Sequence, residues 1–144
     1  MAKIRPLNKK TITMPTALAD KWFKVLRSGR YHQAYKALEN ITEDYQGACI
    51  GYCCLGVMQK TISRKVEAQD GVSRNYPTRG WLESKNIIFH KARSGKTIHK
   101  MEEELDPVIG KIRNRYITAS DANDIYDLSF NEIADLLEAC VEKI

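Results

Sequence analysis

The chain has 144 residues and a formal net charge of +5, and 43% of its residues are hydrophobic. This length suits one domain that buries a core without disulfides or a structural metal. No apolar stretch approaches the roughly 18 residues of a membrane span, and no apolar signal core follows the first methionine, so we expect a cytosolic protein that contacts no membrane. The four cysteines should stay thiols in that reducing compartment, which excludes a disulfide scaffold.

The charge is distributed unevenly along the chain. Residues 121–144 carry seven acids and a single lysine, whereas the preceding 120 residues have a net charge of +11. Two interpretations stay open at this point. Either the acidic C-terminal segment lies against a basic body and neutralises part of it, or a free basic surface attracts anions.

The N-terminal part of the chain contains one clear helix. Residues 1–13 are basic and weakly patterned, so we expect either a flexible arm or a short edge strand through Thr11–Thr13. Residues 15–28 are predicted to be helical, with Pro15 in the first turn and Gly29 at the C-terminal cap. One face of that helix carries the apolar side chains Leu18, Trp22, Val25 and Leu26.

An apolar run that contains two adjacent cysteines marks the next helix. Residues 31–41 before it fit either a strand followed by a turn or a short helix. Apolar spacing then predicts a buried helix from about Cys53 to Lys65. Residues 66–80 are rich in turn formers, such as Asp70-Gly71, and are predicted to be the longest loop.

Two further elements are predicted between residues 87 and 116. Ile87–Phe89 and Thr97–His99 flank a turn signal and are predicted to pair as a β-hairpin. Asp106-Pro107 suits the start of a helix, with the acid as N-cap and the proline at the first position. The apolar face of this helix would consist of Val108, Ile109, Ile112 and Tyr116.

The strongest local signal lies near the C-terminus. Ser129 and Glu132 have the spacing of a capping box, in which each side chain satisfies a backbone N–H of the other residue. Apolar residues from Ile133 to Val141 follow on one helical face, so we predict a helix from about Phe130 to Lys143.

The cysteines at positions 49, 53 and 54 allow three interpretations. A buried core position is favoured, because cysteine is often buried and the residues that follow are apolar. Zinc binding would need a second cluster of ligands, which the spacing does not provide. A thiolate enzyme would need a base, a cation or a helix N-terminus near the sulfur to lower the pKa of the thiol. Of these, the sequence indicates only a helix start near Cys53. No catalytic residue, metal ligand or cofactor is therefore predicted.

Basic and aromatic residues are interleaved along the chain in a way that suits anion binding. The chain has neither a G-x-x-x-x-G-K-[ST] loop nor a G-x-G-x-x-G turn, which disfavours nucleotide hydrolases and dinucleotide oxidoreductases. A nucleic acid or a nucleotide-like ligand would use such charges and stacking faces, although a solvated basic surface has the same composition. The residues concerned are Arg27, Arg30, Lys91, Arg93, Lys96, Lys100, Lys111, Arg113 and Arg115, with Tyr31, Tyr35 and Tyr116.

Three separated segments carry a family resemblance. They are Leu26-Arg27-Ser28-Gly29-Arg30-Tyr31-His32-Gln33, Tyr52-Cys53-Cys54-Leu55-Gly56-Val57, and Asn123-Asp124 with Leu128-Ser129-Phe130-Asn131-Glu132-Ile133-Ala134-Asp135. Together they resemble a family of small uncharacterised proteins of tailed bacteriophages. In relatives the asparagine-aspartate pair runs into a glycine turn, whereas Ile125 follows it here. The resemblance implies a phage accessory protein in the host bacterial cytoplasm that binds a host enzyme, a nucleic acid or a nucleotide-type signal. It brings no catalytic residues.

The sequence as a whole predicts a single, helix-dominated α+β domain over residues 1–144, with a small antiparallel sheet or hairpin. Its expected function is a non-enzymatic host-takeover or anti-defence protein that binds an anionic partner. The alternatives are a regulator that binds a host protein and a cysteine- or zinc-dependent enzyme. The predicted core consists of Trp22, Leu26, Cys54, Val57, Met58, Ile133 and Leu137. The predicted ligand-binding residues are Arg27, Tyr31, Gln33, Tyr52, Asn123 and Asp124.

Overall fold

The computed structural model describes residues 3–44, 46–90 and 105–144. Of this part of the chain, 37% is helical and 28% lies in strands. The prediction of a helix-dominated domain is therefore wrong, although the α+β mixture and a small antiparallel sheet are present. The helices are α1 (Thr16–Ser28), α2 (Cys54–Ser63), α3 (Arg79–Ser84), α4 (Ala119–Asp124) and α5 (Phe130–Cys140). None of these helices has the length and apolar character needed to cross a bilayer.

Short strands form four small sheets in the described ranges. The strands are β1 (Arg5–Pro6), β2 (Ile12–Met14), β3 (Glu39–Asp44), β4 (Gly47–Tyr52), β5 (Ala68–Gln69), β6 (Val72–Ser73), β7 (Ile88–Phe89), β8 (Val108–Ile112), β9 (Arg115–Thr118) and β10 (Val141–Lys143). One three-stranded sheet has the order β1-β8-β9 and is antiparallel. A second has the order β10-β2-β7, in which β10 runs parallel to β2 and β7 antiparallel to it. The strand pairs β3-β4 and β5-β6 form separate hairpins.

One hydrophobic core joins the helices and the sheets. All seven residues predicted for the core are buried, which confirms that part of the sequence analysis. The helical boundaries of α1 also agree with the prediction, and Gly29 ends the helix in the left-handed conformation with φ of 73°. The capping box of Ser129 and Glu132 at the start of α5 is present as well.

The position of α2 is fixed by polar and steric constraints together. The Nε1 of Trp22, a fully buried side chain, donates to the carbonyl oxygen of Cys54 over 3.0 Å. Gly56, on the next turn, faces the backbone of Leu38 so closely that an added Cβ would lie 1.8 Å from the Leu38 carbonyl oxygen. The segment that enters β3 at Leu38 can therefore lie this close to α2 only if position 56 has no side chain.

The predicted helix after Asp106 is wrong. Residues 108–118 form the β8-β9 hairpin, in which Ile112 pairs with Arg115 across a tight turn. Arg113 in that turn has a φ of 54°, and the β-branched residues of β8 suit a strand better than a helix. The Asp106 carboxylate accepts a hydrogen bond from the backbone N–H of Ser120, so it caps a distant segment instead of its own.

Three other elements differ from the prediction because their partners lie far away in sequence. β2 is the central strand of its sheet, not part of an arm or an edge strand, because β10 and β7 flank it. Helix α5 ends at Cys140, and residues 141–143 continue as β10. β7 pairs with β2, while the predicted partner strand, residues 97–99, lies outside the described residues.

The predicted long loop at residues 66–80 also contains regular structure. Its turn formers Asp70 and Gly71 have positive φ values of 52° and 78° and connect β5 to β6 as a two-residue hairpin turn. The end of the predicted loop is the beginning of α3, where the Thr78 side chain accepts a hydrogen bond from the N–H of Trp81. Turn chemistry was therefore read correctly, but the strands beside it were too short to detect.

The contact at Gly56 can be tested by substitution. Gly56→Ala should lower the free energy of unfolding by about 2 to 4 kcal/mol, because the new methyl group meets a backbone carbonyl that cannot move without shifting Leu38. Urea denaturation monitored by circular dichroism measures this loss. Gly80→Ala is the matched control, since nothing lies within 4 Å of its added Cβ. Equal midpoints for the two variants would contradict the proposed close contact.

Candidate functional site

A concave basic site lies where α1 and α2 pack together. It encloses a cavity of about 330 Å³. Seven of the described side chains line it, of which four are cationic and none is acidic. The lining residues are Lys21, Val25, Arg30, Tyr31, Lys60, Thr61 and Arg64, and they are called the basic pocket below.

Helical spacing and the chain reversal at Gly29 bring these residues together. Lys21 and Val25 lie one turn apart on α1, and Lys60 and Arg64 have the same spacing across the end of α2. The left-handed Gly29 ends α1 and turns the chain so that the residues after it lie beside the helix pair.

The cations of the basic pocket are held by local contacts. The Arg30 guanidinium lies over the Tyr31 ring, with its Cζ 5.5 Å from the ring centroid. The Lys60 Nζ donates to the carbonyl oxygen of Arg64 over 3.2 Å, at the C-terminal end of α2 where the helix dipole attracts cations. The like charges that gather here repel one another, so an anion between them would be stabilised.

The buried hydroxyl group of Thr61 has no hydrogen-bond partner in the described ranges. Thr61 is 8% exposed, and its Oγ1 makes no hydrogen bond within the described part of the chain. Buried polar groups in folded proteins nearly always have a partner, and leaving one without costs free energy. Thr61 lines the cavity, but its Oγ1 is buried and presents no surface to it, so the cations of the pocket are the groups that a ligand could reach.

Two of the predicted site residues meet at this pocket. Tyr31 lines the pocket, and its ring contacts that of Tyr52 edge to face, with centroids 5.2 Å apart. Tyr52 is buried, and this burial raises the pKa of its hydroxyl. The buried Tyr52 ring therefore packs against the Tyr31 ring and holds it at the pocket wall.

Three other predicted residues form a polar cluster that holds the chain together. The Gln33 Nε2 donates to the Asn123 Oδ1 over 2.9 Å and to the Leu128 carbonyl oxygen over 2.8 Å. Asn123, which is fully buried, donates to the Ala34 carbonyl oxygen and to the Asp124 carboxylate, each over 2.8 Å. These bonds tie the segment after α1 to α4, so the cluster positions the residues that follow Tyr31.

Arg27, the last predicted site residue, is engaged elsewhere. Its guanidinium donates to the Glu138 carboxylate over 2.5 Å and to that of Asp135 over 2.7 Å, both on α5. The hydrogen bond to Glu138 is the largest cause of a raised pKa of the guanidinium, and the hydrogen bond to Asp135 is the next. At this place the acidic C-terminal helix does lie against a cation of α1, as one of the two charge interpretations expected.

The vicinal cysteines are packing residues. Cys53 caps α2 through its Sγ, which accepts from the Gly56 N–H over 3.4 Å, and burial raises the pKa of this thiol to about 12. The Cys54 Sγ donates to the Ala119 carbonyl oxygen, and burial raises its pKa well above the ordinary value. Near neutral pH neither sulfur is a thiolate, so neither is an activated nucleophile. Within the described ranges, no group of three or more His, Cys, Asp or Glu side chains could hold a metal ion.

Asp106 is a buried carboxyl group whose pKa is also strongly shifted. Burial raises the pKa of this carboxyl to about 7, in the range of a general acid or base. The side chain is only 5% exposed, and its Oδ1 accepts from the Ser120 N–H over 2.9 Å. The Asp106 side chain therefore links the residues just before β8 to the start of α4, which is a structural role.

Sequence reasoning missed four of the residues that form the basic pocket. Lys21, Lys60, Thr61 and Arg64 were not proposed as site residues, whereas Arg30 and Tyr31 were recognised as a cation and a stacking face. The available signal was the turn spacing of Lys60 and Arg64 at the end of a predicted helix. That signal points to an anion site only once α1 is known to pack beside α2.

The reactivity of the thiols checks the role assigned to the cysteines. In the folded protein we expect a single thiol to react quickly with Ellman's reagent, that of the half-buried Cys49, since Cys53, Cys54 and Cys140 are buried. All four should react after unfolding in guanidinium chloride. Cys49→Ser should abolish the fast phase, whereas fast labelling of Cys53 or Cys54 in that variant would reopen the thiolate enzyme hypothesis.

Comparison with known proteins adds a family but no activity. A family model described as "Domain of unknown function (DUF8296)" matches residues 14–141. No curated protein and no solved structure matches the chain. The family description states no source organism, so the bacteriophage resemblance stays a prediction. Because the match spans nearly the whole chain, the protein belongs to the DUF8296 family.

Proposed function

We propose that this protein is a non-enzymatic binding module that holds a small phosphate-bearing ligand in the basic pocket. The observation that carries the proposal is a cavity lined by four cations and, among the described residues, by no acid. Phosphate groups match this set, because arginine and lysine donate charge-assisted hydrogen bonds to their oxygens.

The size and the aromatic wall of the basic pocket favour a nucleotide-like ligand. Its volume of about 330 Å³ lies at the lower end of the range for small-molecule sites, roughly 300 to 1,000 Å³. Tyr31 supplies a ring and Arg30 a planar guanidinium, both of which stack on bases. Val25 adds an apolar wall. A ligand with one or two phosphates and a flat group would use all of these features.

An ordinary solvated surface accounts less well for this arrangement. Elsewhere on α1, charged side chains pair with the opposite charge: Arg27 contacts two acids of α5, and the Asp20 carboxylate lies 2.6 Å from the Lys143 Nζ of β10. In the basic pocket the cations surround a concavity that no carboxylate of the described residues lines. The gathering of like charges costs free energy in the isolated protein, and a bound anion would recover it.

The proposed biological role rests on the bacteriophage resemblance. If the protein acts in an infected bacterium, capture of a nucleotide-derived host signal would serve host takeover or anti-defence without any chemical step. The basic pocket supports the binding part of this proposal only. We therefore separate the test of binding from any test of the infection phenotype.

Binding is tested with a panel of inorganic phosphate, pyrophosphate, ADP and cyclic dinucleotides. We expect at least one of these to raise the melting temperature by several degrees at concentrations well above its dissociation constant. Isothermal titration should then show at least a tenfold weaker affinity for Lys21→Gln/Lys60→Gln, because two charge-assisted contacts are removed.

Lys24→Gln is the matched control, because Lys24 is an exposed cation of α1 outside the pocket lining. It should bind like the wild type. The proposal fails if no member of the panel changes the melting temperature at millimolar concentration. It also fails if Lys21→Gln/Lys60→Gln binds as tightly as Lys24→Gln.

A further inference from the structure

A second basic region lies on the sheet formed by β1, β8 and β9. This sheet joins the N-terminal strand β1 to a hairpin more than 100 residues later. Residues 3–14 and 107–118, which contain these strands, include seven lysines and arginines and no acid. These cations are Lys3, Arg5, Lys9, Lys10, Lys111, Arg113 and Arg115.

Register places three of the side chains in one row across the sheet. Arg5 of β1 pairs directly with Lys111 of β8, and Lys111 pairs directly with Tyr116 of β9. Residues directly opposite each other in neighbouring strands point to the same face, so Arg5, Lys111 and Tyr116 share one face. Two like charges directly opposite each other destabilise a sheet, which makes the Arg5 and Lys111 pair unfavourable without an anion.

The row borders a cleft of about 280 Å³. The Nζ atoms of Lys9 and Lys111 lie 5.2 and 5.3 Å from the centroid of the Tyr116 ring, and all three residues line the cleft. The Arg5 Nη2 donates to the Arg113 carbonyl oxygen over 3.0 Å, which fixes the direction of the Arg5 side chain. Three positive groups and an aromatic ring therefore meet at one cleft.

We propose that this sheet face binds single-stranded nucleic acid, with backbone phosphates at Arg5, Lys9 and Lys111 and a base against Tyr116. Three strands about 4.8 Å apart spread the row over about 10 Å, which suits successive phosphates better than a single one. A membrane surface is a poorer match, because none of the large exposed hydrophobic side chains of the described residues lies on this sheet. The cleft and the basic pocket share no lining residue, so each proposal can be tested without the other.

Fluorescence anisotropy with a labelled 20-nucleotide DNA strand tests this inference. Lys9→Glu/Lys111→Glu should weaken binding by at least tenfold and should flatten the dependence of affinity on salt, because fewer phosphates are contacted. An abasic strand of the same length should bind the wild type about tenfold more weakly than the DNA strand, since it cannot stack on Tyr116. Tyr116→Leu should remove most of that difference.

Lys24→Glu/Lys36→Glu serves as the charge-matched control, since both lysines are exposed and line neither the cleft nor the basic pocket. It should bind the DNA strand like the wild type, and circular dichroism should show the fold of every variant unchanged. The inference is overturned if the wild type binds neither DNA nor RNA strands at micromolar concentration in low salt. It is also overturned if Lys9→Glu/Lys111→Glu binds as tightly as the wild type, or if the control variant loses as much affinity.

Discussion

The packing of the Leu38 backbone against Gly56 is the constraint on which the rest of this structure depends. The carbonyl of Leu38 also accepts from the Cys53 N–H over 3.3 Å, so the same group fixes the start of α2. One residue further on, the Cys54 carbonyl accepts from the Trp22 indole of α1. The Leu38 contacts thus fix the start of α2 against the segment that enters β3, and the Trp22 hydrogen bond joins α1 to the same turn.

The charges of the protein are organised by this same packing. Where α1 faces α5, its Arg27 finds two carboxylates, and the acidic segment neutralises part of the body. Where α1 faces α2, no acid of residues 3–44, 46–90 or 105–144 lines the cavity, and four cations gather there. The net positive charge of the chain is thus a poor guide by itself, because its effect depends on which helix faces which.

Local signals allowed part of the fold to be predicted from the sequence. The Ser129 and Glu132 capping box and the apolar face around Trp22 need only residues within a few turns of one another, so both were recognised. Residues 108–116 were misassigned because isoleucine and valine spaced in this way fit either a helix or a strand, and Gly110 with the Arg113 turn decides for the strand. The end of α5 was placed too late because β10 needs β2 as its partner, more than 120 residues earlier.

The candidate site was predictable to a smaller extent, for a related reason. Tyr31 and Arg30 follow a recognisable helix end, so their placement beside α1 could be inferred. Lys21 and Lys60 are 39 positions apart, and they share a cavity only because α1 packs on α2. Gln33 and Asn123 were singled out as polar residues that packing alone does not require, and their hydrogen bonds give them a positioning role.

An NMR titration of the wild-type protein with pyrophosphate tests the central claim that packing of α1 on α2 creates an anion site. The account predicts saturable shifts of the backbone amide signals of Arg30, Tyr31, Thr61 and Arg64, with little change at the β3-β4 hairpin. Absence of saturable shifts at these four amides, or shifts confined to β8 and β9, would contradict it.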